Sequence, residues 1–187
     1  MIHSPRLILA SSSPRRRELL TQAGLCFDVR PANIDETRRD AETPPNYVQR
    51  LALEKARAIA ALHPEAIVLG ADTTVVLHGE VLNKPVDRAD AERMLRALSG
   101  QSHQVHTGVA VVRGNTQRLH VETTTVFFAP IFEADMSRYL DTGDSLDKAG
   151  AYGIQTYAAR WITRIEGDFF NVVGLPIAAT VRLLAEI

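Results

Sequence analysis

The sequence predicts a mixed α/β fold, and three observations carry that expectation. Short apolar, β-rich runs alternate with amphipathic helical patterns along the chain, the alternation that sets helices against a sheet. Glycine-bearing turns such as His78-Gly79, Ser99-Gly100 and Arg113-Gly114-Asn115 fall between those runs. Finally, 187 residues with 45% hydrophobic and 23% charged side chains suffice to bury a core in a single domain, 1–187, with no repeat or linker to divide it.

The elements follow in order. Leu7-Ile8-Leu9-Ala10 reads as a buried strand, after which Ser12 or Ser13 caps a helix with Pro14 in its first turn and Gly24 as its stop. A second helix spans about Pro45 to Leu62 on the apolar stripe Val48, Leu51, Ala52, Ala56 and Ile59. Ala66-Ile67-Val68-Leu69 is a strand expected to end in Gly70-Ala71-Asp72-Thr73. Thr74 to Leu77 and Glu80 to Leu82 pair as a hairpin turning at His78-Gly79. Asp87 or Asp90 opens a helix that runs through Leu98 and closes at Ser99-Gly100. Long strands, Val105 to Val112 and Leu119 to Phe128, flank Arg113-Gly114-Asn115, and a helix from Glu133 to Leu140 follows. Two final strands are expected on either side of Glu166-Gly167-Asp168, before a last amphipathic helix over Ile177 to Ile187.

Composition removes several function classes. A formal net charge of −1 supplies no basic field for nucleic acid, and Arg15 to Arg17 lack the aromatic support of a nucleic-acid patch. Cys26 is the single cysteine, so neither an internal disulfide nor an all-thiolate zinc site can form. No segment approaches the roughly 20 apolar residues that cross a bilayer. The run after Arg6 is too short for a signal-peptide core, so the expected setting is cytoplasmic, with no membrane partner. Neither a G-x-x-x-x-G-K-[ST] loop nor a G-x-G-x-x-G after a strand is present. His103 and His106 lack an obvious third ligand and read as strand residues.

Three clusters carry possible chemistry. Ser11-Ser12-Ser13-Pro14-Arg15-Arg16-Arg17 is a polar turn at a helix N-terminus, where free N–H groups, the helix dipole and arginine forks all favour phosphate. The plain alternative is a capped helix with a solvated basic first turn, although arginines there oppose the dipole. Lys55 lies four residues after Leu51 and four before Ile59, on the apolar seam of its helix, where it either snorkels or meets a buried anion. Asp72 follows a buried strand, at the end where α/β sheets gather ligands, as a base, a metal ligand or a turn aspartate capping its own backbone. Lys84, in Asn83-Lys84-Pro85, offers a second cation, and Asp35-Glu36 a carboxylate pair for magnesium or a solvated loop.

Together these stretches resemble the Maf family of nucleotide pyrophosphatases, in the subgroup associated with dTTP and UTP. The matching segments are Leu9 to Arg16, Glu54-Lys55-Ala56, Leu69 to Thr73, Gly79 to Pro85, Leu98-Ser99-Gly100, Leu146 to Gln155 and Asn171 to Pro176. They occur in the family's order over nearly the whole chain. The resemblance implies an α/β fold with a mixed, strongly bent sheet flanked by helices, two lobes and a cleft, like that of pyrophosphatases for non-standard purine triphosphates. It implies a homodimer, a divalent metal (Mg2+ or Mn2+), and hydrolysis of a nucleoside triphosphate to monophosphate and pyrophosphate. Carried over by motif, Asp72 is the proton acceptor. Ser11, Arg15, Arg16, Lys55 and Lys84 handle phosphates, and Glu36 joins Asp72 at the metal. Arg15, Thr73 and Gln155 match the positions associated with base preference. The family's acidic pair is often two glutamates, so the metal role falls to Asp35 or to Glu36. A glutamine amide offers donor and acceptor together, which suits the N3–H and carbonyls of uracil or thymine. Competing readings are a pyrophosphatase for non-standard purine or 7-methylguanosine triphosphates, and a non-catalytic regulator of division that binds nucleotide or nucleic acid. The last needs phosphate contacts but no general base.

Overall fold

The computed structural model describes residues 6–187. Its strands are β1 (Leu7–Leu9), β2 (Asp28–Val29), β3 (Ile67–Leu77), β4 (Glu80–Leu82), β5 (Ser102–Arg113), β6 (Thr116–Phe128) and β7 (Ile162–Glu166). They form a seven-stranded sheet in the order β2-β1-β3-β5-β6-β7, with β4 paired to β3. The sheet is mixed: β1 runs parallel to β2 and β3, whereas β3–β4 and β6–β7 are antiparallel. The helices are α1 (Pro14–Gln22), α2 (Pro44–Ala60), α3 (Arg88–Leu98), α4 (Glu133–Asp141), α5 (Phe169–Val173) and α6 (Ile177–Ala185).

Local chemistry accounts for the boundaries. The Ser13 hydroxyl accepts the Arg16 N–H at 3.4 Å and Pro14 occupies the first helical position, so α1 starts where its orphan donors find a partner. Asp87 caps α3 in the same way, accepting from the Asp90 N–H at 2.8 Å. The β3–β4 hairpin turns through His78 (φ 51) and Gly79 (φ 86), two positive values that match the twist of the flanking strands. Val48, Leu51, Ala52, Ala56 and Ile59 of α2 are all buried, as their spacing predicts.

The chain divides into two compact units. The first contains the described residues up to Asp72, then Thr107–Glu122 and Gly174–Ile187; the second contains Thr73–His106 and Thr123–Val173. In the first unit Ile8, Val68 and Ala110 pack with Ala52, Ala56 and Ile59 of α2. The second unit centres on Leu95 and Leu98 of α3, Tyr139 of α4, and Phe128, Tyr152 and Trp161. Its aromatic rings meet edge to face, Phe128–Tyr152 at 4.8 Å and Tyr139–Trp161 at 5.3 Å between centroids.

Two expectations are corrected. The strand that starts near Ile67 does not stop at Gly70-Ala71-Asp72-Thr73 but continues to Leu77. Gly70 is a contact residue rather than a turn residue: a Cβ there would stand 2.1 Å from the Ala52 carbonyl oxygen and 2.8 Å from the Ala56 nitrogen of α2. The second of the two final strands is also absent. After β7 the Asp168 carboxylate accepts the N–H groups of Phe170 (2.7 Å) and Asn171 (3.4 Å) and starts the short helix α5.

Candidate active site

Asp72 sits inside β3, where the partner strand changes. Leu69 pairs with β1 and Val75 with β4, which leaves the residues between them outside both ladders. Its side chain is buried, and Oδ1 accepts a hydrogen bond from Lys55 Nζ at 2.7 Å. The contact at Gly70 explains the meeting. Gly70 is two residues before Asp72 in β3, and Ala52 and Ala56 bracket Lys55 on α2, so the close backbone approach brings cation and carboxylate together. The snorkelling alternative for Lys55 is thereby excluded, since its ammonium lies inside an ion pair.

The same Nζ lies 2.7 Å from Glu36 Oε1, so two carboxylates converge on one cation position. Asp35 and Glu36 differ in what their side chains meet. Asp35 Oδ1 accepts the Thr37 N–H at 2.9 Å and closes its own turn. The Glu36 loop is held by neighbours on α2: Tyr47 Oη donates to the Glu36 carbonyl at 2.9 Å and Arg50 Nη2 to the Thr37 carbonyl at 3.1 Å. Arg50 also clasps Glu42 at 2.6 and 2.8 Å, which holds that carboxyl down at about 2.

Arg16 is buried rather than solvated. Its Nε donates to the Gly174 carbonyl at 2.9 Å and its Nη1 to the Ser11 hydroxyl at 3.1 Å. The Ser11 hydroxyl in turn accepts the Ser13 N–H at 3.2 Å, tying the turn to the arginine. Burial pulls the Arg16 pKa down, partly offset by the field of Asp72. Burial pushes the Asp72 carboxyl above its ordinary 3.8, against the opposing pull of Lys55 and Arg16. The first unit therefore assembles Ser11, Arg16, Glu36, Lys55 and Asp72 from four separate stretches, with Arg15 half-buried on the same helical turn.

Thr73, Lys84 and Gln155 belong to the second unit. Thr73 is half-buried, whereas Lys84 and Gln155 are exposed. His103 and His106 prove to be strand residues of β5. His103 Nε2 and Tyr152 Oη are 2.7 Å apart, and burial pushes that imidazole down to about 4.

Two features escaped the sequence. Gly174 supplies the carbonyl that fixes Arg16, which gives one residue of the Asn171–Pro176 stretch a role at the site. Lys148 is a second buried lysine whose ammonium meets Asp144 and Asp147; the Asp144–Lys148 spacing of four was its only trace. Among the described residues no group of three His, Cys, Asp or Glu side chains forms a metal cage. Glu36 and Asp72 nonetheless suit a hard divalent ion, because two carboxylate oxygens already share one cation's position and such an ion takes its remaining ligands from water or phosphate.

Residues 6–187 match the family described as Maf-like protein. The chain belongs to the Maf family. Maf relatives include one named dTTP/UTP pyrophosphatase from Symbiobacterium thermophilum, 56% identical over 97% of this chain and 93% of that protein. Another of the same name, from Koribacter versatilis, is 53% identical over 95% of this chain and 92% of its own. A HAM1 protein structure from Coxiella burnetii aligns over 98% of this chain and 100% of that one, with TM-score 0.55 and 17% identity. At that identity the likeness concerns the fold alone, and it agrees with the mixed sheet expected of a Maf protein.

Proposed function

We propose that this chain hydrolyses nucleoside triphosphates between the α- and β-phosphates, with dTTP and UTP preferred, and releases the monophosphate and pyrophosphate. The observation that carries this reading is the buried Asp72 carboxylate held by Lys55 beside Glu36 and Arg16, in a chain more than half identical to proteins named for that reaction.

The chemistry needs these groups. A triphosphate repels hydroxide, so its charge must be offset before the α-phosphorus can be attacked. Arg15, Arg16, Ser11 and Lys55 supply donors and charge for the phosphates, and Lys84 meets the charge developing on pyrophosphate. Asp72 takes the proton from water, and a carboxyl raised by burial holds that proton better than an ordinary one. Glu36 and Asp72 would hold a divalent ion, Mg2+ or Mn2+, which neutralises phosphate charge when bound. The assignments of Thr73, Gln155 and Arg15 to base choice, and of Lys84 to pyrophosphate, rest on motif position. The reading includes a homodimer, to be tested by sedimentation, and a cytoplasmic, housekeeping role on the nucleotide pool.

The test is product analysis across a triphosphate panel. UTP should give UMP and pyrophosphate in equal amounts, EDTA should stop the reaction, and turnover in 18O water should place the label in UMP. UDP with orthophosphate, or label in pyrophosphate, would overturn the assignment.

A further inference from the structure

We propose that Asp144, Lys148 and Thr156 are positioning residues for Gln155: they clamp the tight turn that carries it and so fix how its amide is offered to the base. The proposal rests on the reading of Gln155 as a base contact and adds what makes that contact selective.

Gln155 is the third residue of a turn closed by the Thr156 N–H donating to the Gly153 carbonyl at 3.2 Å. Exposed turns are ordinarily soft. This one is anchored at both ends. At one end the Thr156 hydroxyl donates to Asp144 Oδ2 at 2.6 Å. At the other, the Lys148 stem fills the space beside Gly153: a Cβ there would stand 2.7 Å from Lys148 Cε and 3.0 Å from Cδ. The two anchors are joined, because Lys148 Nζ donates to Asp144 Oδ1 at 2.7 Å.

The ammonium has no donor to spare. Its other contacts are the Asp144 carbonyl at 2.6 Å and Asp147 Oδ1 at 2.7 Å, so all three N–H groups are accounted for inside the loop. Lys148 is therefore not a phosphate ligand in waiting. Desolvation of a buried ammonium has to be offset by its partners, and here those partners hold residues 144–156 together. Asp144 is tied inward as well: Oδ2 accepts from Tyr139 Oη at 3.2 Å, and Tyr139 is fully buried against Trp161.

Such a clamp has a use that stability alone does not require. An amide can present its oxygen or its nitrogen, so a glutamine on a loose turn can suit either the N3–H edge of uracil or the reversed edge of cytosine. Rejecting the wrong edge depends on leaving its polar groups unpaired, which a mobile contact does not do. Holding the turn fixes the backbone from which Gln155 reaches the base and so narrows the directions from which its amide can be offered.

Thr156→Val removes the hydroxyl donor at nearly constant shape, and Thr156→Ser retains it. Kinetics on UTP, dTTP and CTP are measured for both, together with Gln155→Ala and wild type. The UTP-to-CTP ratio of kcat/KM should fall about tenfold in Thr156→Val, within the range set by one lost polar discrimination, and recover in Thr156→Ser. A purely structural role would lower all three substrates together and leave the ratio unchanged, which would overturn the proposal. If Gln155→Ala relaxes the ratio but Thr156→Val does not, the clamp fails while the Gln155 reading stands. If Gln155→Ala leaves the ratio unchanged, that reading fails and the positioning role goes with it. Should Thr156→Val not fold, Asp144→Asn is the substitute, judged by the same ratio. Amide exchange at Gln155 and Thr156 reads the clamp without turnover: it should accelerate in Thr156→Val, and unchanged protection would count against the anchor.

Discussion

Each unit of this molecule buries a lysine between two carboxylates, and the two arrangements differ in almost every other respect. Lys55 meets Glu36 and Asp72, residues 19 and 17 positions away in sequence. Lys148 meets Asp144 and Asp147, four positions and one position away. The local group is saturated: both oxygens of Asp144 accept hydrogen bonds, and although burial works to raise it, the bonds from Lys148 and Thr156 hold its carboxyl below the ordinary 3.8. The non-local group is not balanced in that way. Burial dominates at Asp72 and lifts it above 3.8 despite Lys55 and Arg16. A carboxylate satisfied by its own loop is a fastener; one that only tertiary packing desolvates is suited to exchange a proton.

If that contrast is right, Asp72→Asn should lower kcat on UTP by a factor on the order of 10² or more, the typical worth of a positioned base. Its thermal transition at neutral pH should not fall. The sign follows from linkage: a raised folded pKa contributes stability below the unfolded value and loses it as pH rises through the folded one, so at pH 7 the ionised Asp72 is a burden. Turnover within a few-fold of wild type would remove Asp72 from the base role.

The two groups should also differ in what holds them. Gly70→Ala drives a Cβ against α2 backbone at 2.1 Å and should destabilise by about 3 kcal/mol or more in denaturant titration. Gly153→Ala meets side-chain atoms rather than backbone, the far carbons of Lys148 and the Thr156 hydroxyl, and should cost less, about 1 kcal/mol. Equal losses would mean that both clusters depend equally on rigid packing.

A smaller effect concerns pH. Lys55 pulls the Asp72 pKa down, so Lys55→Met should move the acid limb of kcat/KM upward and lower activity about tenfold at pH 7 as a phosphate-path charge is lost. An unmoved limb would detach the titration from Asp72.

Smallest is the stability of the saturated loop. Lys148→Met should destabilise by about 1–2 kcal/mol at neutral pH, discounted from a fully buried pair because Asp144 is partly exposed. Here the sign is opposite to that at Asp72. A lowered folded pKa contributes stability above the unfolded value and loses it as pH falls through the folded one, so the gap between mutant and wild type should close below about pH 4. Urea titrations at pH 7 and pH 3 measure it.

Much of this was legible in the residues alone. Period and capping placed α1, α2, α3, α4 and α6 because those signals act within a few residues: Ser13 and Asp87 cap as their types predict, and the α2 stripe is buried at every expected position. The ordered stretches from Leu9 to Pro176 were enough to point to the Maf family. Where a signal had two meanings, only the fold could choose. Gly70 looked like the end of a strand and is the place where a helix touches one, because a glycine marks a turn or a close approach with the same letter. Motif position favoured Glu36 over Asp35 without excluding either, and in the structure Asp35 turns inward on its own backbone while Glu36 meets Lys55. Lys55 read as snorkelling or paired, with snorkelling the commoner outcome for such a lysine, since what faces a helix seam is set by a strand 17 residues on. The pKa of Asp72 lies wholly on the tertiary side, because desolvation is a property of what surrounds a carboxylate and not of the carboxylate itself.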